Sequence, residues 1–165
     1  MVISAPASPQ TQPASSSDPP LPRPEYPRPQ FAREDWLNLN GRWKFRIDDQ
    51  NVGLEQHWFS GTDFPAEILV PFSLESLMSG IGDGSFHPCV WYQRSFEVPE
   101  GWGKKQILLN FGAVDYRATV WVNGIVVAWH EGGHTPFACD ITGALLPRRN
   151  VVSRKYMISC SDVSP

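Results

Sequence analysis

From residue 42 to 48 the chain alternates: Trp43, Phe45 and Ile47 are apolar, and Arg42, Lys44, Arg46 and Asp48 are polar. Successive side chains on an extended strand point to opposite faces, so period-two alternation predicts a half-buried β-strand. The same reading gives strands over residues 68–70, 90–98 (Val90, Tyr92, Phe96 and Val98 on one face), 106–111, 116–122 and 125–129. Turns fall at Pro99-Glu100-Gly101 and at Asn123-Gly124, the second being a strong hairpin signal. Many short strands with no long amphipathic helix between them predict an all-β fold, an antiparallel β-sandwich of jelly-roll type. The segment 72–88 is long for a loop and combines glycine, serine and charge. On a rigid sandwich such a loop is where binding residues are expected.

The first 25 residues have another texture. Seven of the sixteen prolines lie there among serine, alanine and glutamine, with almost no large apolar side chain, which predicts a disordered or polyproline tail. Pro19-Pro20-Leu21-Pro22 has the form of a proline-recognition ligand, though so short a match is common by chance. The 165 residues, 41% hydrophobic with seven tryptophans, suffice for one packed domain. The net charge of -3, with acids and bases interspersed, gives no footprint for nucleic acid or an anionic membrane, and no apolar run is long enough to span a bilayer. The start MVISAPASPQ lacks a basic, then apolar, secretory pattern, so an intracellular protein is expected. Cys89, Cys139 and Cys160 are odd in number and widely spaced, which fits reduced thiols acting as small apolar fillers.

One segment carries an apparent catalytic motif. His130 to His134 reads HEGGH, which fits the zinc-protease pattern of two histidines flanking a glutamate. That chemistry needs a helix, where residues four apart reach one metal. Gly132, Gly133 and the following Pro136 oppose a helix, and on an extended chain the two histidines lie roughly 13 Å apart. No metal site and no cofactor are therefore expected.

Five ordered blocks carry a family likeness: PRPQFAREDWLNLNGRWKF (27–45), ILVPFSLES (68–76), VWYQRSFEVPEGW (90–102), ILLNFGAVDYRATVWVNG (107–124) and HEGGHTPFACDIT (130–142). In this order they resemble the N-terminal sugar-binding domain of glycoside hydrolase family 2, which includes β-galactosidases, β-glucuronidases and β-mannosidases. The likeness covers residues 26–152 and implies a galactose-binding-like jelly roll. It also implies that the two catalytic glutamates of retaining hydrolysis lie on a (β/α)8 barrel that follows this domain. No catalytic residue is therefore expected in this chain, and Glu75, Asp83, Glu131 and Asp140 are read as solvated acids.

The resemblance further implies that the loop before the Trp-Tyr motif approaches the barrel's pocket. Asp83, Glu75 and His87 then become candidate contacts to the terminal sugar of a β-glycoside, with Trp91 as a stacking face. Asp83 between glycines also suits an ordinary turn, and Trp91 also suits the core. Arg94, flanked by Tyr92 and Phe96, is expected to be a buried arginine paired with an acid such as Asp115 or Asp140. Trp36, Trp43, Trp102 and Trp121 are expected to pack the sandwich or its interface with a following domain. Relatives of this kind continue past Asn150 with an alternating strand and an immunoglobulin-like domain. Here the alternation is lost after Val152, so residues 153–165 read as an atypical tail, with the last core strand missing or replaced. Three functional expectations follow: a domain that completes a family 2 glycosidase, a free-standing carbohydrate-binding module, or an interaction module acting through its proline-rich tail or its sandwich face.

Overall fold

A computed structural model describes residues 1–5, 21–25 and 35–157. Ten strands run in chain order: β1 (Val2–Ala5), β2 (Asp35–Asn38), β3 (Gly41–Ile47), β4 (Ala66–Val70), β5 (Cys89–Glu97), β6 (Leu108–Phe111), β7 (Arg117–Val122), β8 (Ile125–Glu131), β9 (Phe137–Asp140) and β10 (Arg149–Met157). They form a four-stranded sheet of order β2-β1-β6-β9 and a six-stranded sheet of order β4-β3-β5-β10-β7-β8, with every pairing antiparallel. The fold is the all-β sandwich that the alternation predicts.

The main core lies between the sheets. Ile3, Leu109 and Phe111 from the smaller sheet meet Trp43, Phe45, Ile68, Val90, Val120, Val122 and Val152 from the larger. Burying each such side chain contributes roughly 1.5–3 kcal/mol of hydrophobic stabilisation. A second core covers the far face of the larger sheet, where Trp58 and Phe64 of the β3–β4 connection pack on Cys89, Trp91 and Trp121. The rings of Trp91 and Trp121 are stacked at 5.2 Å, and Trp58 meets Trp91 edge-on at 6.0 Å. The middle of this sheet is thus buried on both faces, which suppresses the simple alternation of a half-exposed strand.

Two expectations at the chain's ends are corrected. Val2–Ala5 is no tail: β1 pairs with β2 on one side and β6 on the other, so it bridges the smaller sheet, with Val2 and Ile3 buried. The Pro22 and Arg23 carbonyls accept hydrogen bonds from the side chains of Asn40 (3.2 Å) and Asn38 (2.9 Å), so this stretch of the proposed tail is docked as well. The rest of that tail, with Pro19 and Pro20, lies outside the described residues.

Residues 153–157 continue β10, which sits between β5 and β7 in the larger sheet. The last core strand is present. Asn150, Ser153 and Lys155 misled because they are buried and satisfied. Ser153 accepts from the Gln93 amide at 3.2 Å and donates to the Phe59 carbonyl at 3.4 Å. Lys155 donates to the Asn51 side chain. Asn150 exchanges hydrogen bonds with Asn123, Leu146 and Arg148, tying the β7–β8 turn to the start of β10.

Candidate functional site

The 72–88 loop is held by its own short-range bonds. A 3-10 turn spans Leu77–Ser79, with the Ser76 hydroxyl accepting from the Met78 amide at 3.2 Å. Ser79 donates to the Ser76 carbonyl at 2.7 Å and accepts from the Ile81 amide at 3.1 Å. Its second half is clamped to the body of the domain. His87 reaches Asp49, just beyond β3, through Nδ1 (2.9 Å) and Asp83 through Nε2 (3.2 Å). An imidazole between two carboxylates favours its charged form, donating from both nitrogens. The Asp49 hydrogen bond and then that of Asp83 raise the His87 pKa against the opposing pull of burial. Asp83 moves the other way: the Ser85 amide and hydroxyl, followed by His87, lower it to about 2.

Beside this loop, one end of the sandwich opens into a cleft of about 1280 Å³ between the two sheets. Its walls are the 70–75, 85–87 and 112–115 segments with Gly133 and residues 136–138, and Tyr92, Arg154 and Tyr156 line its inner-face side. Of the four candidate sugar contacts, Glu75 and His87 line this cleft. Asp83 acts on it at one remove, by holding His87.

Trp91 requires correction. It is fully buried in the second core, on the opposite sheet face from Tyr92, and its indole N–H donates to Asp48 Oδ2 at 2.8 Å. No sugar can stack on it there, and the core reading is the one that holds. Asp48 also caps the β3–β4 connection by accepting from the amides of Val52 (2.8 Å) and Gly53 (2.9 Å).

The HEGGH segment lies on the end of β8 and the turn after it, with no helix. His130 stacks on Phe137 with ring centroids 4.1 Å apart, and Glu131 is paired with Arg117 at 3.1 Å, so histidine and glutamate serve different faces of one strand. Gly132 has φ of 134°, and a Cβ on Gly133 would stand 2.6 Å from Asp115 Oδ1. The two glycines are required by the turn's path, one for its backbone angle and the other for the close approach of Asp115.

The Arg94 guanidinium donates to the backbone carbonyls of Asn40 (2.8 Å) and Arg42 (3.2 Å), and Asp140 is engaged by Thr142 and Gln106.

The residue that the sequence reading missed is Arg154. It stands directly across from Tyr92 in the β5–β10 register, with its guanidinium 4.4 Å from the Tyr92 ring centroid and 6.0 Å from that of Phe111. The signal was available: Val152, Arg154 and Tyr156 share the face that looks into the sandwich, as the period of two requires. Burial raises the pKa of Tyr92 and pushes that of Tyr156 up to about 12, so both phenols remain protonated at neutral pH.

A ten-stranded sandwich with a ligand-sized cleft at one end and a braced loop beside it has the form of a β-sandwich binding domain. The family model for glycosyl hydrolases family 2, sugar binding domain, matches residues 37–160, and the chain belongs to that family. It is 34% identical over 134 residues to a β-glucuronidase of Paenibacillus borealis, covering 75% of this chain and 21% of that protein. Over 127 residues it is 36% identical to the β-glucuronidase of Felis catus, covering 71% of this chain and 19% of the relative. Among solved structures, a Lactobacillus rhamnosus β-glucuronidase superposes with a TM-score of 0.69 at 33% identity, covering 76% of this chain and 21% of that one. A Ruminococcus gnavus β-glucuronidase in complex with D-glucuronic acid superposes with a TM-score of 0.67 at 32% identity, covering 74% and 21% respectively. The chain thus spans about a fifth of the length of the curated relatives it matches.

Proposed function

We propose that this domain recognises carbohydrate as part of a family 2 β-glycosidase, presenting its 72–88 loop to the terminal sugar of a β-glycoside bound in a catalytic barrel. The observation that carries this reading is the Asp49–His87–Asp83 clamp. A loop that only joined two strands would not need two carboxylates and a histidine to fix its exposed half. A recognition loop gains from such bracing, because rotamers ordered in advance are not lost on binding. Glu75 is the contact offered to sugar hydroxyls. It is exposed, it lines the cleft, and a carboxylate accepts from paired hydroxyl groups. The complexes of the Ruminococcus gnavus enzyme with D-glucuronic acid and D-glucaro 1,5-lactone support a β-glucuronide as the substrate class of the assembled enzyme.

In this reading hydrolysis belongs to the barrel. The purified chain by itself is expected to leave nitrophenyl β-glycosides intact, and turnover abolished by mutating Glu75 or Asp83 would overturn that assignment. Calorimetric titration with free monosaccharides separates the proposal from a free-standing module. A domain that completes a pocket binds free sugar weakly or not at all, whereas a self-sufficient module gives a saturable isotherm.

A further inference from the structure

We infer that the cleft between the two sheets is a binding site for a monocarboxylate with an apolar body, an aryl carboxylic acid being the simplest example, and that Arg154 is its anchor. Arg154 is a cation drawn into the sandwich, and among the described residues no carboxylate forms an ion pair with it. Its Nε–H is shut away from solvent with no acceptor among the described residues, and its neighbours are rings and phenols: Tyr92, whose ring lies beneath it and whose hydroxyl accepts a hydrogen bond from it, and Tyr156 within electrostatic reach. A buried guanidinium loses its hydration, and the face and hydroxyl of one tyrosine replace only part of what was lost. A carboxylate entering the cleft would replace the rest, because its two oxygens match the fork of the guanidinium.

The remaining lining selects among anions. Phe72, Phe111, Val114 and Phe137 present apolar surface to the cleft, which suits an aromatic or aliphatic body. The carboxylates of Glu75 and Asp115, both exposed and both lining the cleft, repel multiply charged anions such as phosphates. A single planar charge on an apolar frame meets both conditions. The site shares its cleft with Glu75, the sugar contact proposed above, but its anchor is Arg154, so either proposal can fail without the other.

The test uses the full chain and two probes of equal size, 4-phenylbutyrate and its neutral amide, followed by calorimetry and by the chemical shifts of the Arg154 Nε–H and of Tyr92 and Tyr156. The expected result is saturable binding of the carboxylate, with the Arg154 Nε–H resonance shifted, and at least about tenfold weaker binding of the amide. Arg154→Lys should weaken the carboxylate by a similar factor, and Arg154→Met should abolish its advantage over the amide. Equal affinity of acid and amide for the unaltered chain would overturn the proposal, as would absence of a saturable shift at millimolar carboxylate. The comparison of acid with amide needs no variant, so it decides the matter even if Arg154→Met does not fold.

Discussion

His87 sits between two acids, and the sign of its titration follows from that. Its folded pKa is raised above 6.5, so its stabilising contribution is full below that value and fades as the pH rises through the folded pKa. Asp83, lowered from 3.8 to about 2, contributes above 3.8 and loses its contribution as the pH falls toward about 2. The clamp is therefore firmest between those limits. An NMR titration of the His87 ring is expected to give a midpoint above 6.5, and His87→Gln should remove the loosening of the loop on the alkaline side. A midpoint at or below 6.5 would contradict the geometry.

Trp91 gives a second prediction at this scale. Trp91→Phe, which keeps an aromatic side chain but deletes the indole N–H donor to Asp48, should cost at least about 1–3 kcal/mol in urea unfolding. Trp91→Ala should cost about 3–5 kcal/mol. A side chain that only stacked on sugar would leave stability unchanged. Identity alone could not separate these roles, because the sequence shows a tryptophan on an alternating strand and conceals the second core packed on the far face of that strand.

Among the elements, β3 to β8 lie close to the spans read from the alternation, while the polar half of β10 and the bridging β1 were not legible. β5 and β7 were legible even though Trp91 and Trp121 are buried on their far faces, because their inner faces keep the apolar period of two. β10 did not announce itself, since Ser153, Lys155 and Asn150 are polar groups buried with partners, and a pattern that equates polar with exposed breaks there. β1 was hidden by the prolines that follow it. Four residues are enough for a strand when β2 and β6 supply the hydrogen bonds on both sides, yet they are too few to show a period.

These two strands carry the element-scale predictions. A chain ending at Val152 lacks half of the strand between β5 and β7 and is expected to lose cooperative thermal unfolding, while the full chain keeps it. An unchanged melting transition would show β10 to be dispensable beyond that point. Ile3→Ala removes a fully buried side chain and should destabilise by about 2–5 kcal/mol, whereas a disordered tail would tolerate it.

At the scale of the molecule, the family likeness was readable from five ordered blocks, and the sandwich and the family match agree with it. The cleft was not readable, because it depends on Arg154 and Tyr156 reaching the inner face together with loops far apart in sequence. HEGGH shows the converse case. A motif that looks catalytic in one dimension becomes a stacked histidine, a surface ion pair and two turn glycines once its strand is placed.

The central claim is that this domain presents the 72–88 loop to a sugar held by a catalytic barrel. Its most direct test replaces the equivalent domain of the Paenibacillus borealis β-glucuronidase with this chain and measures hydrolysis of nitrophenyl β-D-glucuronide. Glu75→Gln and Asp83→Asn are expected to raise KM by about tenfold, roughly 1.4 kcal/mol of binding, with a smaller change in kcat. If both variants of a folded, active chimera keep the parent KM and kcat, the loop does not touch the sugar and the account is contradicted.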